Sequence, residues 1–453
     1  MSRALLLAVM SALGASPAVA AGRSNAVPLF ARQTGLTCAQ CHVLYGAPVP
    51  SFTFTGKKFR MNGYRMPWIS QKIEAGEPGA INGRRLDINL VPYLSFRYQS
   101  IFASQSKTPG LPKPGPISSN PTSRLAIFSG GAFGDNFGLW TEFYLTPPND
   151  NPGGEWGIGN FTFDEYDLRY VKTVGDNNTI GLGFSNQGVS EISGFGPWSP
   201  GGSMITTGGI AGWSHPNRGQ LFGYGWLHDQ LFFSLGAQPG MDNLSWSKSS
   251  IIGNVAFAPF HEDQKEAWVN IEFSLGNDNI PLLTNRSSIT NNTSWNTTDA
   301  VGGVSATNGG VPYSAHDIKT TRRLTGELLY GFVDHGPHSL DLGASYNLNK
   351  DNYQNTAFAQ VNSVFGRLRY VYERTWGLDL QVGKTVTYKY TDALGLPTSA
   401  HTVPNKLSYN AYGTFQPAMN VLIALNYGRS QTLALDTPAL LGWNWTLNID
   451  YLF

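Results

Sequence analysis

Along most of the chain, apolar and polar residues alternate one for one. In the final segment Trp443, Trp445, Leu447, Ile449, Tyr451 and Phe453 take every second position, and Asn444, Thr446, Asn448 and Asp450 fill the gaps. A period of two places these sets on opposite faces of a strand. Leu86, Ile88 and Leu90 alternate in the same way with Asp87 and Asn89, and Val269, Ile271, Phe273 and Leu275 with Asn270, Glu272 and Ser274. Val421, Ile423, Leu425 and Tyr427 make a penultimate strand. Leu221 to Leu227 and Leu231 to Leu235 flank His228-Asp229-Gln230, which predicts a hairpin with a short turn. Between Phe161 and Lys172 the phase slips at Asp164-Glu165, from Phe161 and Phe163 to Tyr166, Leu168 and Tyr170, as a β-bulge causes. Such segments, about ten residues each and closed by Gly, Asn, Asp or Pro, number about sixteen from Ile81 onward.

Composition decides what the strands face. Charged residues are only 13% of the 453, about half the share usual in soluble proteins, while 13% are aromatic. After the N-terminus no apolar run reaches the roughly 18 residues of a membrane-spanning helix. Strands with an apolar-aromatic face and a polar face fit lipid on one side and water on the other. The predicted fold class is therefore all-β: a transmembrane outer-membrane β-barrel of about 16 strands; Phe453 resembles the terminal aromatic of bacterial outer-membrane barrel proteins, which implies an assembly signal in the last strand. Ser100 to Pro121, Gly188 to Gln220 and Asn277 to Lys319, rich in Gly, Ser, Asn, Thr and Pro, are expected to be extracellular loops. Residues 1–20 read as a signal peptide: Arg3, the apolar Ala4 to Leu13, then the small-residue site Ala18-Val19-Ala20. Residues 21–80 form a separate, irregular N-terminal segment, and residues 81–453 the barrel. With a net charge of +1 and no block of Lys and Arg, no nucleic-acid partner is indicated.

The chemistry lies in the N-terminal segment. Cys38-Ala39-Gln40-Cys41-His42 is Cys-x-x-Cys-His, the attachment site of a c-type haem, in which both thiols bond the porphyrin and the histidine becomes the proximal iron ligand. A zinc site would need further ligands nearby, and His42 is the only histidine before residue 215. A redox dithiol would sit in a βαβ context, which is absent. The expected cofactor is one covalently bound haem c. Met61 is the preferred distal ligand, with Met66, a histidine or an open position as alternatives; a thioether raises the reduction potential. Around Met61, Lys57, Lys58, Arg60 and Arg65 are expected to meet haem propionates or inner-wall carboxylates such as Asp167, Glu272 or Glu327.

The combination of signal peptide, Cys38-x-x-Cys41-His42, Phe59-Arg60-x-x-Gly63-Tyr64 and a barrel in one chain resembles the fused monohaem cytochrome c-porin iron oxidases of the bacterial outer membrane, the iron:rusticyanin reductase type. The resemblance spans the chain in organisation, with its specific motifs between about Pro28 and Tyr64. It implies a haem plug entering the barrel from the periplasmic side, with His42 at the reacting centre. Extracellular Fe(II) would be the donor, a periplasmic cytochrome c or rusticyanin-like blue-copper protein the acceptor, and outer-membrane lipid the surroundings. Rival readings are a porin with a non-catalytic haem and a conduit for another electron donor or acceptor. Carboxylates in the expected loops, Asp150, Glu155 and Asp299, form no ligand spacing.

Overall fold

The structure, a computed structural model, describes residues 29–34, 36, 38–42, 52–66, 94–107, 112–145, 161–175, 177–186, 219–239, 249–262, 265–276, 318–335, 337–353, 358–373, 375–391, 402–418, 421–434 and 440–452. Period-two alternation becomes sixteen strands among these residues. The first nine are β1 (Leu94–Lys107), β2 (Ser118–Phe133), β3 (Phe137–Leu145), β4 (Phe161–Thr173), β5 (Asn178–Ser185), β6 (Gln220–Leu227), β7 (Leu231–Gln238), β8 (Ser250–Glu262) and β9 (Lys265–Gly276). The rest are β10 (Ile318–His335), β11 (His338–Tyr353), β12 (Phe358–Tyr372), β13 (Trp376–Thr391), β14 (Thr402–Ala418), β15 (Val421–Ala434) and β16 (Leu440–Leu452). Each strand pairs antiparallel with its neighbours in sequence, and β1 pairs with β16 from Arg97↔Leu452 to Lys107↔Trp443, closing a barrel. Arg97 Nη2 meets Asp450 Oδ2 across that seam at 2.6 Å.

The wall has its polarity reversed relative to a soluble protein. On β9, Val269, Ile271 and Leu275 are 45–50% exposed, whereas the intervening Asn270, Glu272 and Ser274 are buried. On β13, Leu378, Leu380 and Val382 lie outside while Asp379 and Gln381 are buried. An apolar exterior round a polar interior is the arrangement of a barrel solvated by lipid. The expected details hold as well. His228 and Asp229 both have positive φ, 53° and 58°, the combination that a tight hairpin turn between twisted strands requires. The pairing of β3 with β4 skips from Glu142↔Glu165 to Phe143↔Phe163, leaving Asp164 as the bulged residue.

One loop expectation is corrected. Most of Ser100 to Pro121 is strand, because β1 continues to Lys107 and β2 begins at Ser118, so the connection is confined to 108–117. Leu86 to Leu90, Phe453, the signal peptide, Asp150, Glu155, Asp299 and most of the other two expected loops lie outside the described residues.

Connections such as 134–136, 228–230 and 373–375 are short at one end of the barrel, and those such as 277–317 are long at the other. Of three short helices, α1 (Leu29–Thr34), α2 (Cys38–Cys41) and α3 (Phe54–Met61), α3 packs against inward-facing side chains near the short-turn end, α2 lies against α3, and α1 lies against β2. The interior is graded along the axis: on β6, Trp226, Tyr224 and Phe222 face inward beside the helices, and Gln220 follows toward the long connections.

Ile271→Arg, on the lipid face, is expected to cost about 2–4 kcal/mol near the bilayer midplane. A urea titration in lipid vesicles, read by heat-modifiable gel migration, would show it as a lower midpoint than that of the native protein.

Candidate functional site

Helix α3 is fixed by its own sequence. Thr53, extended at φ −67° and ψ 171°, caps its start by accepting from the Gly56 N–H. Its end is a Schellman motif: the Gly63 N–H donates to the Arg60 carbonyl at 3.1 Å and the Tyr64 N–H to the Phe59 carbonyl at 3.0 Å. This needs a left-handed residue after the Asn62 cap, and Gly63 supplies it at φ 65°. Tyr64 is also left-handed, at φ 60°, a conformation costly for an aromatic residue and held here by its contacts. Its ring stacks on Phe30 at 5.3 Å, and its hydroxyl donates to Asp167 Oδ2 at 2.5 Å.

The Cys-x-x-Cys-His motif is stapled to the start of α3. The Thr53 N–H donates to the Cys41 carbonyl at 3.0 Å, and the Thr53 hydroxyl to the Gln40 carbonyl at 2.6 Å. Gly56 is required at this crossing, because a Cβ there would overlap the Cys41 carbonyl oxygen. His42 bridges to Phe52, with ring centroids 5.1 Å apart. Burial pushes its imidazole pKa down to about 4, so the ring is neutral, the form that ligates a metal.

One carboxylate ties this assembly to the barrel. Asp167 and Arg169, two apart on β4, both face inward and are fully buried. Arg169 Nε donates to both Asp167 oxygens at 3.0 and 2.9 Å, and Arg169 Nη2 lies 2.7 Å from Oδ2. Arg60 Nε sits 3.6 Å from the same oxygen that accepts from Tyr64. Burial, with the Asp167 charge beside it, pushes the Tyr64 phenol well above its ordinary pKa and keeps it a donor. Elsewhere Lys58 Nζ meets Asp229 Oδ2 at 2.7 Å in the β6–β7 turn, and Arg65 donates to the carbonyls of Gly134, Asp135 and Phe137. At Gly138 a Cβ would overlap the Gly63 carbonyl, so backbone meets backbone there.

The expected pairing of the basic cluster with Asp167 is thus present through Arg60. Lys57 lies over the Trp268 ring at 5.6 Å. Glu272 accepts from Asn270 Nδ2 at 3.0 Å, and the side chain of Glu327 lies outside the described residues. Sequence reading missed Arg169, although alternation with Leu168 and Tyr170 places it beside Asp167. It also missed Trp140 of β3, which packs on the cluster of Phe59, Tyr64 and Met66.

The two candidate methionines are both buried, on different sides. Met61 packs among Val171, Phe222, Tyr224 and Trp226 of the wall, with its sulfur 3.6 Å from Arg169 Nη1 and its carbonyl accepting from the Tyr224 hydroxyl at 2.7 Å. Met66 clusters with Phe59 and Tyr64, against which Phe30, Leu36, Cys41 and Trp140 pack.

The described residues fit a haem c: the Cys41 thiol lies against an apolar aromatic cluster, and the neutral His42 imidazole follows it directly in the chain. Among the described residues no group of three or more His, Cys, Asp or Glu side chains forms a metal site.

No family model and no curated protein matches the chain. Among solved structures it is similar to an anion-selective porin of Comamonas acidovorans, with 12% identity, 80% of this chain and 98% of that one covered, and a TM-score of 0.46. OmpT of Vibrio cholerae is similar at 10% identity, 80% and 97% coverage and a TM-score of 0.44. The outer membrane channel DcaP of Acinetobacter baumannii gives 11% identity, 80% and 95% coverage and a TM-score of 0.44.

Asp167→Asn is expected to leave two guanidinium groups facing a neutral amide, at a cost of about 3–5 kcal/mol for a broken buried pair. Hydrogen exchange over residues 54–66 should rise by about a hundredfold or more, each 1.4 kcal/mol being about tenfold, while the barrel keeps its heat-modifiable migration.

Proposed function

We propose that the protein is an outer-membrane electron-transfer protein that oxidises extracellular Fe(II) through a single c-type haem on Cys38, Cys41 and His42. The electrons go to a periplasmic carrier, a cytochrome c or a rusticyanin-like blue-copper protein. The observation that supports this reading is that the Cys-x-x-Cys-His helix is hydrogen-bonded through Thr53 to α3, and α3 is itself bonded to the inner wall of a lipid-compatible barrel near its short-turn end. Short turns of bacterial barrels face the periplasm, so the motif lies on the side of the carrier. Bound there, haem c supplies a one-electron couple whose potential is set by its axial ligands and surroundings. The chain's own part is to hold and shelter it: Cys38 and Cys41 anchor, His42 ligates, and Asp167, Arg60 and Arg169 keep the supporting helix in place.

A passive channel is the competing reading, favoured by the polar inner wall. There Ser234 donates to Asn254, Asn254 to Asn270 and Asn270 to Glu272, all by side chains.

Two experiments separate them. In oriented proteoliposomes, Fe(II) supplied only on the long-loop side should reduce the haem, and an enclosed cytochrome c or copper protein should reoxidise it. Reduction by iron from the short-turn side alone, or reduction abolished by chelators that only block iron entry, would defeat the oxidase reading in favour of the channel. Cys38→Ala with Cys41→Ala should remove covalent haem and Fe(II) oxidation while heat-modifiable migration persists, because the barrel closes its hydrogen bonds without the helices.

A further inference from the structure

Resting on the haem reading just proposed, we infer that Met66, and not Met61, is the thioether this fold turns toward the haem as distal iron ligand. The inference comes from the two faces of α3. Phe54, Lys57, Lys58 and Met61 recur at i, i+3, i+4 and i+7, so they share one stripe of the helix. Every member of that stripe meets the barrel wall. Phe54 lies 5.8 Å from Trp226 and 4.9 Å from His261 in ring centroids, Lys57 sits over Trp268, Lys58 is bonded to Asp229, and Met61 lies on Arg169 and Tyr224.

The haem-motif helices lie against the other face. Gly56 is the point where the Cys41 carbonyl crosses α3, and Phe59 meets Phe30 at 5.0 Å. Turning Met61 toward Cys41 would rotate the whole stripe off the wall, undoing an ion pair and a set of aromatic contacts together. The left-handed pair Gly63-Tyr64 reverses the chain after α3 and returns it to the haem-motif side. Met66 then lies in one apolar cluster with Cys41, walled by Phe30, Leu36, Phe59, Tyr64 and, from the barrel, Trp140. A thioether is a neutral, polarisable donor, and an apolar cage keeps it dry beside the cofactor. At Met61 the sulfur already accepts from a guanidinium.

The test compares the native holoprotein with Met61→Leu and Met66→Leu, both near volume-conserving changes that spare the packing. Haem-stained gels report covalent haem, the oxidised far-red spectrum reports the thioether-to-iron charge-transfer band, and proton NMR of the reduced protein reports an upfield-shifted methionine methyl. The native protein and Met61→Leu should keep band and methyl. Met66→Leu should keep covalent haem and lose both signals, and Met66→His should give a bis-imidazole spectrum with a lowered reduction potential. Signals that survive in Met66→Leu, that vanish in Met61→Leu alone, or that are absent from native protein carrying covalent haem would overturn the assignment and leave the haem reading intact. Native protein without covalent haem would instead remove that reading, and the ligand assignment with it.

Discussion

A chain in hydrocarbon has no water to satisfy its backbone, and that constraint governs the structure. Each unpaired N–H or C=O would cost several kcal/mol, so a sheet in lipid must close on itself. Here the closure is β1 on β16, and the outward apolar rows of β9 and β13 follow from it. The inward rows are then free to be polar, which is where chemistry can be placed. A soluble sheet of the same length would have its apolar face buried and no sheltered polar interior to offer.

Within that interior, Asp167 links wall and helices. Its carboxylate takes a guanidinium from its own strand, a second from α3 and a phenol from the turn beyond it. Burying three charged groups is costly, and such clusters give specificity more readily than stability. Specificity is what a small helical insert in a wide barrel requires: apolar packing alone would tolerate several seatings. The Lys58–Asp229 pair and the Arg65 contacts at the β2–β3 turn fix its height and rotation.

Much of the fold was legible in the sequence because lipid favours apolar residues on one face. The β6–β7 hairpin, the β4 bulge and the last two strands could all be read from that rule. It fails where a strand carries polar residues on both faces. Ser104-Gln105-Ser106-Lys107 is paired with Trp443 to Thr446, yet it reads as loop because the segment itself carries no apolar residue to alternate. The Cys38-x-x-Cys41-His42 pattern stands out in the sequence because the chemistry it suggests demands fixed spacing. The sides taken by Met61 and Met66 were not. Helix α3 is covered on both faces, by the wall and by its own chain, so no polar stripe reveals its orientation. The reversal at Gly63-Tyr64 shows only when both residues are seen in the left-handed region.

The seam also bears on the order of events during biogenesis. Arg97 and Asp450 are 353 residues apart in sequence, so the pairing of β1 with β16 is the longest-range contact to form and carries the greatest loop-closure cost. The ion pairs and hydrogen bonds described above between the helical insert and the wall, by contrast, fall on β2 to β9 and their turns. An open half-cylinder is therefore sufficient to receive the insert, whereas a finished barrel would have to admit it through one end. The insert can be completed and seated while the sheet still has two free edges, and the last strand then seals an interior that is already furnished.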